Sequence, residues 1–262
     1  MKGIRMGVFA TTCAAAIAAW AMGACGPDAM RVSRQANAAE SGQKLKVAVL
    51  TGGHGFDHKS FFSLFEGFSD VTVEEIVLKK DSTVFDDISQ WPYDVILMYH
   101  MTQEITDKQK ENFLKLLDKG VGVVAMHHCF GGYQGWDEFS KIIGGRYCTR
   151  KTVVDGKTVT STFKEGVDIN VHVEDAAHPV TAGLKDFVVR DEVYGNCRFE
   201  PDNQCLLTTD QEKSDKKLAW VRKYRNSNVC TILLGHGKTI FSDASFQRLV
   251  HNAILWAARR SG

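Results

Sequence analysis

The sequence predicts an α/β protein whose core is a doubly wound, mostly parallel sheet with a β-rich insertion in the middle third. Short apolar runs alternate with amphipathic segments, which is the pattern of parallel strands covered by helices. Several of these runs end in glycine-rich turns, as strands of an open α/β sheet do. With 262 residues, 44% of them hydrophobic, the chain is long enough for one large domain, which we place at residues 45–260.

The amino-terminal half holds four predicted strands and two predicted helices. Apolar runs bounded by glycine or charged residues indicate strands at residues 46–51, 71–78, 93–99 and 121–126. A phenylalanine-rich helix is predicted at 60–68. A second helix is predicted at 107–119, where Thr106 is a suitable N-cap and Gly120 ends the helical pattern.

The middle third favours β-structure. Residues 151–160 form a predicted hairpin, because Asp155-Gly156 tolerates the positive φ angles of a type I′ turn. Further short strands are predicted at 169–173 and 187–189. The strand-then-helix pattern returns with a strand at 228–236 and a closing helix at 245–260.

The first 25 residues predict a secretory leader. They carry two basic and no acidic residues and an apolar stretch that ends in small residues before Cys25, as in a bacterial lipoprotein signal. Cys25 is then a lipid anchor to the membrane, and residues 26–44 are a flexible tether. The alternative is cleavage after residues 36–38 and release as a soluble periplasmic protein. Both interpretations predict export, either to the periplasm or to the cell surface.

Charge and cysteine usage exclude some classes of function. Without the leader, 30 basic and 31 acidic residues leave a formal charge of −1, which does not favour nucleic-acid binding. The five cysteines beyond Cys25 do not resemble a disulfide framework, and the one plausible bridge joins Cys197 to Cys205. No CxxC pair is present to suggest a thiolate zinc site.

Histidines are concentrated where predicted strands give way to loops: His54, His58, His127, His128 and His236. Ligands of open α/β sheets bind at the carboxyl ends of the strands. Imidazole is a general base near neutral pH and a common metal ligand. These residues are therefore candidates for a site, and the alternative is that they are ordinary loop and turn histidines.

The strand at 121–126 leads into His127-His128, followed by Cys129 and a Gly-Gly turn. The layout resembles a nucleophile elbow in which His127 occupies the place of the nucleophile. Adjacent side chains leave a strand on opposite faces, so we expect one of the two histidines, preferably His127, to face the pocket. Cys129 is expected to be a structural thiol and not a nucleophile.

Glu192 is the best carboxylate to complete this site, either as a metal ligand or as an acid/base partner. The tentative ligand set for a divalent metal ion is His58, His127, Glu192 and His236. Candidate substrate-binding residues are His54, His128, Tyr133 and Trp136, where the two aromatic residues could form a platform for a sugar ring.

Several blocks resemble the ThuA-like (trehalose utilisation) family. They are His178-Pro-Val-Thr-Ala-Gly-Leu184, Asp191-Glu192-Val-Tyr194, Leu234-Gly-His236 and Asn252-Ala-Ile-Leu-Trp-Ala257, together with the early Gly-Gly-His loop and the Ala-Met-His127 strand end. The resemblance spans about residues 45–260. It implies a flavodoxin-like fold related to class I glutamine amidotransferases, without the amidotransferase cysteine.

The resemblance also implies work on sugars, in pathways where a glycoside is oxidised to a 3-keto form. We therefore expect an exported enzyme acting on a keto-sugar by proton transfer beside the carbonyl. His127 and Glu192 would act as base and acid, and His236 with His54 or His58 would polarise the carbonyl directly or through a divalent metal. The alternative is a non-catalytic carbohydrate-binding protein, and either could be a homo-oligomer.

Overall fold

The computed structural model describes residues 43–154 and 156–259. The predicted leader with Cys25, residues 26–42 of the predicted tether and Asp155 of the predicted turn lie outside the described residues. In the part that is described, no helix combines the length and apolar composition that crossing a membrane requires.

The described strands are β1 (Leu45–Gly52), β2 (Val71–Val77), β3 (Val95–His100), β4 (Gly122–Met126), β5 (Gly145–Arg146), β6 (Thr152–Val154), β7 (Lys157–Val159), β8 (Thr162–Val173), β9 (Phe187–Gly195), β10 (Arg198–Phe199), β11 (Gln204–Thr209), β12 (Lys217–Tyr224) and β13 (Ser227–Ile232). The α-helices are α1 (His58–Ser63), α2 (Asp107–Asp118), α3 (Asp137–Ile143) and α4 (Ala244–Ala257). Three short 3-10 turns cover His127–Gly131, Pro179–Thr181 and Ile240–Ser242.

Nine of the described strands form one sheet in the order β2-β1-β3-β4-β13-β12-β11-β8-β9. The first five strands in this order, β2, β1, β3, β4 and β13, are parallel to one another. The remaining pairings, β13 with β12, β12 with β11, β11 with β8 and β8 with β9, are antiparallel. The α/β class is confirmed. The sheet is mixed, however, whereas the sequence predicted a mostly parallel one, because β11 and β12 were not recognised as strands.

Both faces of the sheet are covered by helices. Alternate residues of β1 show this, since Val47 and Val49 pack in the cluster with α1 and α4, whereas Ala48 and Leu50 pack in the cluster with α2 and α3. This is the period-two alternation expected of a strand that is buried on both sides.

The helix ends follow their capping residues. Thr106 and Gln109 form a reciprocal capping box at the start of α2. The carboxylate of Asp57 accepts a hydrogen bond from the Ser60 backbone N–H at 2.9 Å and caps α1, and Asp243 caps α4 through the Phe246 N–H, also at 2.9 Å. The cap on α1 follows directly on the glycine-rich loop after β1 and so fixes where that loop ends.

The antiparallel ribbon β8–β9 brings residues of β9 to the parallel half of the sheet. Strand β11 pairs with β8 only at Val171–Val173, whereas β8 and β9 pair from Thr162↔Gly195 to Val171↔Phe187. The ribbon thus extends beyond the part of β8 that pairs with β11. Its β9 residues Glu192 and Asp191 contact His127 and Gly235, which follow the carboxyl ends of β4 and β13. A register shift between Lys164 and Val167 bends β8 in this part.

Candidate functional site

Four imidazoles meet at the carboxyl ends of the parallel strands: His54 after β1, His127 and His128 after β4, and His236 after β13. We call this group the histidine cluster. The His128 ring centroid lies 4.1 Å from that of His54, 4.9 Å from that of His127 and 5.4 Å from that of His236. His127 and His236 are 5.2 Å apart. His127 and His128 are buried, His236 is half-buried and His54 is exposed, so the cluster runs from the core to the surface.

The backbone of His127 is strained and the side chain is held by two neighbours. Its φ angle is +39°, in the left-handed region that residues other than glycine seldom adopt. Nδ1 lies 2.6 Å from the Leu233 carbonyl oxygen, which can only accept, so Nδ1 carries the proton. The lone pair of a neutral His127 is therefore on Nε2, the atom that points to Glu192 and Tyr194.

Both adjacent histidines reach the same cluster. The expectation that only one would do so is wrong, because β4 ends at Met126 and His127 already begins the 3-10 turn His127–Gly131. The alternation of side chains that holds within a strand does not continue into such a turn.

His128 is the most unusual member of the cluster. It is 3% exposed and packs against the Tyr99 ring at 4.8 Å, yet neither of its ring nitrogens has a hydrogen-bond partner among the described residues. Burial lowers the pKa of His128 far below its ordinary value, and the charges of His127, His54 and His236 act in the same direction. A buried polar atom without a partner costs roughly 1–3 kcal/mol, so a ligand that bonds to a ring nitrogen of His128 would remove this cost.

Glu192 and Tyr194 close the site from β9. Glu192 Oε1 lies 3.2 Å from His127 Nε2, and the Tyr194 hydroxyl lies 2.8 Å from the same nitrogen. Burial raises the pKa of Glu192, but the hydrogen bond and charge of a His127 ring protonated on both nitrogens, together with the charge of His236, outweigh it and hold the pKa below its ordinary value. Burial and the nearby Glu192 carboxylate raise the pKa of Tyr194 well above its usual range. Glu192 is thus an ionised carboxylate and Tyr194 a neutral donor at neutral pH.

Asp191 holds the loop that carries His236. Its buried carboxylate accepts hydrogen bonds from three consecutive backbone N–H groups, of Gly235 at 2.6 Å, His236 at 3.0 Å and Gly237 at 2.6 Å. Gly235 has φ +121°, and a Cβ there would lie 3.3 Å from Phe246 and 3.4 Å from Met126. The glycines that flank His236 in the sequence therefore serve this tight carboxylate-bound turn.

Tyr99, near the end of β3, packs against the histidine cluster from the strand that lies between β1 and β4. Its hydroxyl donates to the Gly235 carbonyl at 2.7 Å, and its ring packs on His128. Burial raises the pKa of Tyr99, and the Asp191 and Glu192 carboxylates add to the effect. Tyr99 thus links the histidine-bearing turns after β4 and β13.

His58 lies apart from the cluster. Its Nε2 is 2.8 Å from the Glu75 carboxylate on β2, its ring packs on Phe56 and Phe62, and its side chain is 61% exposed. Of the two histidines in the first loop, His54 is the one that joins the cluster. The tentative ligand set that included His58 is corrected accordingly: among the described residues, ligand atoms of His127, His128 and His236 lie within 4.8 Å of one another, and so do those of Glu165, Glu192 and His236.

Tyr133 and Trp136 are core residues and do not form an exposed platform. They are 2% and 8% exposed and pack against Phe139, and the Tyr133 ring also contacts the buried His100. The glycine-rich turn after His128 folds back into the layer of α2 and α3, which carries these rings inward. Their predicted role in binding a sugar is therefore not supported by where they lie.

The described cysteines are all free. The plausible bridge between Cys197 and Cys205, which the sequence leaves open, is not formed. Burial raises the pKa of the Cys129 thiol strongly, so it remains protonated and unreactive, in keeping with the structural role predicted for it.

Sequence reasoning missed Tyr99, the role of Asp191 and the role of Tyr194. Tyr194 could have been found, because residues two apart on a strand share a face and Tyr194 follows Glu192 by two. Tyr99 ends an apolar run, as the candidate histidines do, but its aromatic side chain is equally typical of a core.

The described residues match known proteins along most of their length. The family model for ThuA, described as trehalose utilisation, matches residues 46–257. A ThuA-like protein from Parabacteroides merdae is similar in structure, with a TM-score of 0.69 and 20% identity over 82% of this chain and 90% of that one. A ThuA-like protein from Bacteroides uniformis gives 0.61 and 19% over 82% and 91%.

A cytoplasmic protein from Salmonella typhimurium is also similar, with a TM-score of 0.58 and 12% identity over 81% of this chain and 99% of that one. A comparison with curated proteins finds no match. At these identities the solved structures establish a shared fold.

Proposed function

Because the chain belongs to the ThuA (trehalose utilisation) family, we propose that it acts on a keto-sugar by moving a proton at the carbon beside the carbonyl. Family membership supports a role in carbohydrate metabolism. The chemistry is proposed from the site, since a fold by itself does not define a reaction. The single observation that carries the proposal is that Glu192 Oε1 lies 3.2 Å from Nε2 of His127, whose ring in turn lies 5.2 Å from that of His236 in the histidine cluster.

Glu192 is the proposed proton acceptor. Its pKa lies below the ordinary value because the hydrogen bond and charge of a His127 ring protonated on both nitrogens, with the charge of His236, outweigh the effect of burial, so Glu192 is ionised at neutral pH. Glu192 would take the proton from the carbon beside the carbonyl, and the electron pair of that C–H bond would move into the carbonyl to form an enolate. For isomerisation, the hydroxyl on the deprotonated carbon gives its proton to the enolate oxygen, and Glu192 returns the abstracted proton to the former carbonyl carbon, so that carbonyl and hydroxyl exchange places. For cleavage, the enolate re-forms the carbonyl, a double bond forms to the next carbon, and the leaving group departs from that carbon with its bonding electrons and takes the proton from Glu192.

The imidazoles would stabilise the charge that develops on the carbonyl oxygen. His54 and His236 are the members of the cluster that solvent reaches, so a diffusing sugar meets them first. They would polarise the carbonyl as hydrogen-bond donors or through a bound divalent cation. His127 keeps its Nε2 aimed at Glu192 because Nδ1 is held by the Leu233 carbonyl.

An enzyme fits the geometry better than a non-catalytic sugar-binding protein. A binding site for a sugar would more usually use exposed aromatic platforms, and the two candidates for that role, Tyr133 and Trp136, are buried. What the site offers is a set of titratable groups in contact with one another, which favours chemistry over simple binding.

The test is turnover by the purified full-length chain. A panel of 3-keto-disaccharides should be converted, whereas the same disaccharides in their unoxidised form should not, because they lack the carbonyl that acidifies the neighbouring C–H bond. Products are followed by NMR. The variant His58→Ala serves as a control and should match the wild type, since His58 pairs with Glu75 outside the cluster. Absence of turnover across the whole panel would refute the proposal.

We also propose that the protein is exported and anchored to the membrane through a lipid on Cys25, as the leader predicts. In cells, the Cys25→Ala variant should leave the membrane fraction and lose metabolically incorporated labelled palmitate. Fractionation and labelling of wild type and variant check this. Equal amounts of both proteins in the soluble fraction would contradict the anchor.

A further inference from the structure

We infer that the histidine cluster binds a divalent transition-metal ion through His127, His128 and His236. One ligand atom from each of these side chains lies within 4.8 Å of the others. This inference deepens the proposed function, and it rests on that function only for the ion's role as a carbonyl-polarising group. Binding of the ion is a separate property that can be measured without any sugar.

The state of His128 is the strongest argument. Its ring is buried among Tyr99, His54, His127 and His236, and no described residue bonds to either of its ring nitrogens. A metal ion would use a lone pair that otherwise has no partner in a buried place.

The hydrogen bonds of His127 present a second lone pair at the same point. Its Nδ1–H donates to the Leu233 carbonyl, which fixes the tautomer and leaves the Nε2 lone pair on the side of Glu192 and Tyr194. Metal-bound histidines in general donate their other N–H to a carbonyl or carboxylate in this way. If Nε2 binds the ion, the Tyr194 hydroxyl keeps a partner, because Glu192 lies within its reach.

The acceptor atoms around His127 Nε2 would also stabilise a bound cation. Because Nδ1 holds the proton that bonds to the Leu233 carbonyl, His127 Nε2 faces Glu192 Oε1, 3.2 Å away, as a second acceptor atom, with the Tyr194 hydroxyl 2.8 Å from the same nitrogen. Two acceptors that face each other are stabilised by a positive charge, and an ion bound by the three imidazoles supplies it. A carboxylate oxygen of Glu192 and one of Glu165 also lie within 4.8 Å of a ring nitrogen of His236, which adds acceptor oxygens on that side.

The third ligand sits on a turn built to hold it. His236 follows Gly235 in the loop whose backbone N–H groups bind the Asp191 carboxylate. This turn places His236 half-buried, with one side on His127 and His128 and the other open to solvent. An ion held there would have coordination positions open to a substrate, as catalytic metal sites do.

The chemistry of the donors selects the kind of ion. Three imidazoles suit zinc, cobalt, nickel, iron or copper, whereas magnesium and calcium prefer oxygen ligands throughout. Ligand atoms bound at about 2.0–2.1 Å in a tetrahedron lie roughly 3.4 Å apart. The three ligand atoms, which lie within 4.8 Å of one another, therefore need to approach by up to about 1.4 Å.

The test uses the full-length chain purified through a histidine-free affinity tag, stripped with a chelator and titrated with Zn²⁺ by calorimetry. We expect one ion per chain. The His128→Ala and His236→Ala variants should bind at least about 10-fold more weakly, since even loss of an outer partner of a metal ligand costs that much. Co²⁺ should give a visible absorption spectrum typical of imidazole coordination, and both variants should weaken it.

His58→Ala is the matched control, because it removes an imidazole that lies outside the cluster, and it should bind as the wild type does. Circular dichroism checks that the variants fold, and His236→Ala guards against a folding failure of His128→Ala because His236 is only half-buried. The inference is overturned if the wild type shows no saturable binding, or if His236→Ala and a folded His128→Ala bind as tightly as the wild type. Either result leaves the turnover assay to judge the proposed reaction separately.

Discussion

The Glu192→Gln variant is expected to lose at least about 100-fold in kcat on a keto-sugar, within the range of roughly 10²–10⁴ that a positioned proton-transfer group contributes. Glutamine keeps the shape of the side chain and can still bond to Tyr194, but it cannot accept a proton. The effect should fall on kcat more than on KM, because the proton moves in the transition state. Steady-state kinetics with the wild type and the variant measure it.

Glu75→Gln is the control for this change. Glu75 also bonds to a histidine through a carboxylate oxygen, at 2.8 Å from His58 Nε2, but on β2 and away from the cluster. Its kcat should stay within about twofold of the wild-type value, because it moves no proton in the proposed reaction. If Glu192→Gln retained full activity with a normal fold, Glu192 would not be the proton-transfer group.

The Asp191→Asn variant is expected to lower the free energy of unfolding by about 2–4 kcal/mol. The carboxylate accepts from three backbone N–H groups in a buried turn, and an asparagine amide would turn an N–H₂ group toward at least one of them. A buried donor without an acceptor costs free energy, and charge-assisted hydrogen bonds are the strongest to lose. Urea denaturation followed by circular dichroism gives the change in the midpoint.

Asp186→Asn is the comparison for Asp191→Asn. The Asp186 carboxylate likewise accepts from a backbone N–H, that of Val173, and it also pairs with His172, but its position is exposed. Its effect on the midpoint should be small, since exposed ion pairs contribute little to stability. Equal midpoints for the two variants would show that the carboxylate of Asp191 does not hold the His236 turn.

The sequence could predict the parallel half of the sheet and the place of the site. Apolar runs at 46–51, 93–99 and 121–126 correspond to β1, β3 and β4, and parallel strands that share an edge bring their terminal residues together. That rule is enough to bring His54, His127 and His236 to one place. It uses only local patterns and strand direction.

The antiparallel half could not be predicted in the same way. That β9 reaches the cluster depends on its register with β8 and on the bend in β8, which are long-range properties. The sequence indicates Glu192 only through the chemistry of its carboxylate, and its contact with His127 follows from the β8–β9 pairing. The flavodoxin-like layout and the description of the middle strands as an insertion stay predictions.

The choice between neighbouring histidines was beyond sequence reasoning because it depends on single dihedral angles. His127 leaves the strand with a positive φ, which turns His128 into the cluster as well. His58 follows Asp57, which caps α1, and the helix turns it toward Glu75. In both loops the backbone conformation, which no apolar pattern reports, decides where the imidazole points.

Deuterium exchange tests the central claim most directly, because it detects proton transfer even where the overall reaction does not proceed. A 3-keto-disaccharide is incubated in D₂O with the full-length chain, and NMR follows the signal of the hydrogen on the carbon beside the carbonyl. We predict that the wild type speeds its replacement by deuterium well above the rate in buffer and that Glu192→Gln does not. Exchange at the buffer rate with wild-type protein, or equal exchange with the variant, would contradict proton transfer by Glu192.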